Sequence, residues 1–120
     1  NYDYQLGKLK TDLQDIEFDD INRGDRPVQR IHVMNPTDEV LQPVMMHLPP
    51  YLTAHVSPSR LAPHHSGVIS IVLDSRKLRD LGLNQTSIYL GSQPGDKVAA
   101  EKEIPVSAVL LPNFDNLSGG

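Results

Sequence analysis

The sequence predicts one all-β domain, an immunoglobulin-like β-sandwich of about seven strands with one short helical turn near residues 75–81. Three observations lead there. Short runs alternate apolar and polar side chains with a period of two, the pattern of half-buried strands. Ten Pro and eight Gly are spread along the chain and leave no room for a long uninterrupted helix. The length, 120 residues, suits a single hydrophobic core.

The first eight residues, NYDYQLGK, and the last eight, NFDNLSGG, are polar and turn-rich. They read as tails or linkers, which leaves residues 9–112 as the folded unit. Residues 15–21 (DIEFDDI) put Ile16 and Phe18 on one face, and Asn-Arg-Gly-Asp at 22–25 turns the chain. Residues 28–35 (VQRIHVMN) then alternate Ile31 and Val33 against Arg30, His32 and Met34, up to a turn at Asn35-Pro36-Thr37-Asp38. In the next run Val44, Met46 and Leu48 are assigned to one face and Met45 and His47 to the other, before Pro49-Pro50 breaks the strand. Leu52, Ala54 and Val56 alternate with Thr53 and His55 until Pro58.

Residues 67–74 (GVISIVLD) are the most β-branched stretch and place Ile69, Ile71 and Leu73 inward. Residues 74–82 (DSRKLRDLG) are the one helical candidate, with Asp74 or Ser75 as N-cap, Leu78 and Leu81 as apolar positions and Gly82 as the stop. Residues 86–90 (TSIYL) and 104–111 (IPVSAVLL), separated by a Gln-Pro-Gly-Asp-Lys turn at 93–97, complete the set. Ile31, Val33, Ile69, Ile71, Ile88 and Val106 are expected to share one core between two sheets.

Composition removes several function classes. The formal charge is −4 and the Lys and Arg residues are scattered, which argues against a nucleic-acid partner. No apolar run approaches the roughly 18 residues of a membrane-spanning helix, so no membrane insertion by this segment is expected. The absence of Cys excludes a disulfide framework, a thiolate zinc site and a Cys nucleophile. The chain begins with Asn, which suggests a processed product or a piece of a longer protein.

The ordered strings IEFDDINRGDRPVQRIHVMNPTDEVLQP, LAPHHSGVISIVLDS, TSIYLGSQPGDKV and EIPVSAVLLP cover most of residues 15–112. This pattern resembles the bacterial relatives of the Hydin-type ASH domain, which occur as domains of unknown function in secreted proteins of Bacteroidota. In that pattern a Phe-containing first strand leads through a Gly turn into a strand ending in Asn, here Asn35. A Pro-x-x-x-Gly element, here Pro63 and Gly67, opens the next long strand. Asn35 can close a turn with its side chain, and Gly67 lets the backbone enter the sheet without a Cβ clash. The sequence departs from the family where many members carry Cys-Gly-Cys, because residues 48–56 read LPPYLTAHV. The resemblance implies an immunoglobulin-like sandwich in a periplasmic, cell-surface or secreted protein, often beside further domains and without enzymatic activity.

Candidate chemical motifs resolve to ordinary surface features. His64, His65 and Asp74 include metal-ligand types, but consecutive residues on an extended chain point apart. Asp12, Asp15, Glu17, Asp19, Asp20 and Asp25 lack the spacing of a calcium loop and read as edge charges that discourage sheet-to-sheet pairing. Ser66, His65 and Asp74 carry the residue types of a hydrolase triad without a nucleophile elbow. The glycosylation sequon Asn84-Gln85-Thr86 is read as chance. No catalytic residue, cofactor or metal is expected.

The function expected is a non-catalytic protein–protein interaction or structural spacer module of a secreted or cell-envelope multidomain protein, its partner another protein or an adjacent domain. A carbohydrate-binding module is the alternative. With no Trp, only Tyr2, Tyr4, Tyr51 and Tyr89 could serve as sugar platforms. Strand parity singles out a contact surface of Met45, His47, Tyr89 and Val109 pointing away from the core, an apolar stripe flanked by Ser87 and Ser107.

Overall fold

A computed structural model describes residues 1–93 and 102–112 of the chain. Among these residues nine strands run in the order β1 (Tyr4–Leu6), β2 (Leu9–Thr11), β3 (Ile16–Ile21), β4 (Val28–Met34), β5 (Gln42–Met46), β6 (Leu52–Ser57), β7 (Ser66–Leu73), β8 (Gly82–Gln93) and β9 (Glu103–Leu110). They form two sheets, with order β1-β2-β4-β7-β6 in the first and β3-β9-β8-β5 in the second. The fold is thus the all-β, immunoglobulin-type sandwich that the alternation predicts, with two more strands than expected.

The additional strands come from the N-terminus. Residues 1–8, read as a tail, contribute β1, which pairs with β2 in register Tyr4↔Thr11 and Leu6↔Leu9. Gly7 sits at the first central position of the two-residue connection with φ 61°, where a primed hairpin turn favours glycine. Leu6 and Leu9 are buried, so this hairpin belongs to the core. The C-terminal segment 113–120 and most of the turn at 93–97 lie outside the described residues.

Ile31, Val33, Ile69, Ile71 and Ile88 are fully buried and Val106 nearly so, as inward strand parity requires. Ile16, Phe18 and Ile21 are buried together although the last two are three residues apart. A register shift in the parallel β3–β9 ladder explains it: Phe18 pairs with Ala108 and Ile21 with Leu110, so β3 carries one extra residue. Asp19 and Asp20 therefore both face solvent.

The helical candidate is a single 3₁₀ turn over Ser75–Lys77. Asp74 caps it, its carboxylate accepting from the Arg76 amide at 3.1 Å. Leu78 is buried but Leu81 is 62% exposed, and Gly82, expected as a helix stop, opens β8 with φ 82°. The Asn22–Asp25 turn locks onto this element. Ser75 Oγ accepts from the Gly24 amide at 2.8 Å, and the Arg23 guanidinium donates to the carbonyls of Ser75 at 3.3 Å and Leu78 at 3.1 Å.

Asn35 is fully buried and joins three segments. Its Nδ2 donates to the carbonyls of Glu39 at 2.6 Å and Leu61 at 3.0 Å, while its Oδ1 accepts from the amide and hydroxyl of Thr37 at 2.9 and 2.7 Å. Gly67 has no room for a side chain. An added Cβ would lie 2.8 Å from Leu61 Cδ2 and 2.9 Å from the Ser57 carbonyl oxygen.

Candidate interaction surfaces

The outer face of the second sheet decides the fate of the expected contact stripe. Met45 pairs with Leu90, and directly opposed residues share a face. Leu90 is fully buried, and Met45 packs against the core beside it. The assignment of Val44 and Met46 inward and Met45 outward is therefore corrected: Pro43 and Met45 point in, while Val44 and Met46 point out. The strand begins two residues earlier than expected, at Gln42, and ends at Met46. His47 leaves it with φ 61°, so alternation does not continue to Leu48.

Tyr89 and Val109 do point outward, but not side by side. Tyr89 pairs with Glu103 and Met46, whereas Val109 pairs with Leu83 at the other end of β8. Six residues of extended strand separate those two rows, about 20 Å. The structure thus brings together His47 and Tyr89, whose rings meet edge to face at 5.3 Å. It turns Met45 toward the core behind them and leaves Val109 apart, beside the exposed Leu83. Ser87 stays on the outer face, opposite Pro105, its hydroxyl hydrogen-bonded to the Glu103 carboxylate. Ser107 sits one row away, opposite Gln85.

A different surface emerges along the flank where β5 of one sheet and β6 of the other lie at the sandwich edge. The partly buried hydrophobic residues packed against the core are Met45, Leu48, Tyr51, Ala54 and Val56. All belong to β5, β6 or their connection, so this flank covers the core incompletely. Parity of β6 was legible: Leu52, Ala54 and Val56 face in, and Thr53, His55 and Ser57 face solvent. What sequence reasoning missed is the unpaired side of β6, because strand order is invisible to alternation.

The four sheet edges differ in how they are protected. β1 is three residues long, β3 carries Glu17, Asp19, Asp20 and a bulge, and β5 contains Pro43. Short length, charge, bulges and proline all discourage further strand pairing. β6, reading LTAHVS, has none of these. Its hydrogen-bond phase follows from the Asp74 amide donating to the Tyr51 carbonyl at 2.8 Å, which directs alternate backbone groups of 51, 53, 55 and 57 toward β7. The amides and carbonyls of Ala54 and Val56 point the other way. Leu52 agrees with this phase, its amide turning from β7 to the Pro49 carbonyl at 3.1 Å.

Charge is distributed unevenly between the two faces. Arg30, Ser70 and His55 form one row across the outer face of the first sheet. Lys10 also faces out there, and Asp12 is paired with His32 at 2.9 Å. The outer face of the second sheet carries Glu17 and Glu103 instead. No Asp or Glu occurs from residue 40 through residue 73, a span holding Arg60 and four of the five His.

The other sequence candidates are engaged locally. His64 Nε2 meets the Asp38 carboxylate at 2.8 Å, His65 Nδ1 meets the Pro63 carbonyl at 2.9 Å, and the Asp74 carboxylate caps the 3₁₀ turn. His65 and Asp74 are thus directed to separate tasks. Asn84 of the sequon donates to the carbonyls of Asp80 and Gly82 at 2.9 and 3.2 Å. Tyr51 borders a surface cleft of about 660 Å³ with Lys77, Arg79, Leu83, Asn84 and Gln85. Burial pushes its phenol above the ordinary value of 10.0, and a hydrogen bond with the Thr86 side chain works in the opposite direction. Tyr4 and Tyr2 are exposed near the N-terminus.

Comparison with known proteins places this architecture. No family model and no curated protein matches the chain. Among solved structures, a Porphyromonas gingivalis W83 protein of unknown function is similar with TM-score 0.70 and 21% identity, over 91% of this chain and 50% of that one. The chain therefore spans about half the length of that protein. The ASH/PapD-like domain of human CEP192 (PapD-like domain 7) matches with TM-score 0.66 and 15% identity, over 88% of this chain and 87% of that one. The periplasmic chaperone SfaE matches with TM-score 0.58 and 8% identity, over 92% of this chain and 64% of that one. At these identities the likeness is one of fold. It agrees with the ASH-type sandwich that the sequence resemblance implies.

Proposed function

We propose that this ASH-like sandwich is a non-catalytic protein-interaction module that receives an extended segment of another protein, or of an adjacent domain, as an added strand on β6. The observation that carries this reading is the outward-directed, unpaired backbone of Ala54 and Val56 on an edge strand lacking protective charge or proline. Strand addition supplies main-chain hydrogen bonds, and alternate side chains of the incoming segment fall on the incompletely covered core at Met45, Ala54 and Val56. Met45 and His47 of the expected contact surface border this flank, with Tyr89 behind His47. Val109 lies outside it.

A secreted or cell-envelope multidomain setting is supported by the sequence resemblance, by the likeness to a periplasmic chaperone and by the half-length match to the Porphyromonas gingivalis protein. Panning a random linear-peptide library on the domain tests the proposal. Enriched peptides should protect the amides of Ala54 and Val56 from hydrogen exchange. Enriched peptides that leave β6 unprotected would place the contact elsewhere.

The carbohydrate alternative rests on the Tyr51 cleft, where Asn84 and Gln85 offer amides beside an aromatic ring. It ranks second because the Tyr51 hydroxyl is tied to Thr86 and the ring packs against the core. Reproducible glycan-array binding that disappears in Tyr51→Ala would reverse the order.

A further inference from the structure

We infer that the segment received by β6 is acidic, with carboxylates on the side that continues the outer face of the first sheet and apolar residues on the side that continues the core. This inference rests on the strand-addition reading and adds the chemistry of the partner. An added strand continues the pleat, so its side chains alternate between the two environments that β6 already separates. Inward positions meet Ala54, Val56 and the partly buried Met45, which are apolar. Outward positions lie beside Thr53, His55 and Ser57.

The row of His55 holds a cation and no carboxylate. Arg30 lies in the row of His55, two strands in, and neither β6 nor β7 carries a carboxylate. The carboxylates bordering the acid-free span are Asp38 and Glu39 on one side and Asp74 on the other. Asp38 is held on His64 and Asp74 caps the 3₁₀ turn, while the chain overall has a formal charge of −4. An edge kept free of carboxylates in an acidic protein complements a negatively charged strand and disfavours the β3 edge of a second copy least of all, since that edge carries Glu17, Asp19 and Asp20. The bulge at Asp19–Asp20 interrupts that edge and makes a separate extended segment the better fit.

The test uses three short, acetylated and amidated peptides of about the length of β6, in which valine alternates with aspartate, asparagine or lysine. Binding is measured by calorimetry and mapped by amide chemical shifts. The aspartate peptide should bind about tenfold more tightly than the lysine peptide at low salt, with the largest shifts on β6 and a preference that shrinks as salt rises. Equal binding of all three would overturn the acidic preference and leave strand addition standing. Failure of all three, the asparagine peptide included, would count against strand addition itself and take this inference with it. His55→Glu, an exposed and outward substitution, should reverse the order of the aspartate and lysine peptides. Ala54→Pro should abolish binding of every peptide by removing an outward amide, and thermal unfolding of both variants separates lost binding from lost fold.

Discussion

At the scale of single residues, two positions set the geometry of the loops around the β6 edge. Asn35 engages five polar groups with one buried amide: its two Nδ2 hydrogens are shared among the carbonyls of Glu39, Leu61 and, at 3.2 Å, Ala62, and its Oδ1 accepts both donors of Thr37. Asn35→Ala should lower stability by about 1–3 kcal/mol in chemical denaturation, because buried carbonyls lose their donor. Gly67→Ala should also destabilise, by about 1–3 kcal/mol, since the Ser57 carbonyl oxygen 2.9 Å from the new methyl is backbone and cannot swing aside. Sequence reasoning marked both residues, one as a turn former and the other as a close-approach glycine. It could not show that both are built against the same 57–67 connection. Tyr51 adds a pH dependence. Its folded-state phenol is raised, so the unfolded chain loses that proton first and the associated stability, complete below about pH 10, is lost as pH rises through the folded value. Tyr51→Phe should flatten the alkaline slope of the unfolding midpoint relative to the native sequence.

At the scale of elements, parity held on β4, β6 and β7 and failed on β5. Ile71 sits on β7 between β4 and β6 and is fully buried. Ile71→Ala should cost about 2–5 kcal/mol. β5 pairs on one side only, starts with Gln42 and includes a proline, and its apolar run PVMM offers no polar residue to fix the face. The paired register with β8 supplies what the run lacks. Met45→Lys should therefore lower stability by about 1–2 kcal/mol through lost apolar burial, whereas Met46→Lys should stay within about 0.5 kcal/mol. The reverse ranking in urea titrations would restore the parity expected from alternation. At β3 the extra residue in the ladder keeps both Phe18 and Ile21 buried, which strict alternation cannot do.

For the molecule as a whole, the separation of Tyr89 from Val109 has a measurable consequence. Their rows lie about 20 Å apart along β8, so the stability effects of Tyr89→Ser and Val109→Thr should add in the double variant within about 0.5 kcal/mol. A coupling well above that would mean the two side chains share a surface after all. Among the described residues no group of three His, Asp or Glu side chains is placed to hold a metal ion. Thermal unfolding is expected to be unchanged by EDTA.

Alternation, turn residues and length determined by themselves that this chain is a single all-β sandwich, and they picked out its core: a side chain's inward or outward choice is local, repeating every two residues. The hairpin of residues 4–11 was also within reach, through the glycine between YQL and KLKT, but its polar composition hid two short strands. Tertiary structure alone decided which strands become edges, how far Tyr89 lies from Val109 and that β6 is left with backbone groups unpaired. Those facts depend on the order in which distant strands are laid side by side. Pairing between segments far apart in the chain leaves no period in the sequence to read.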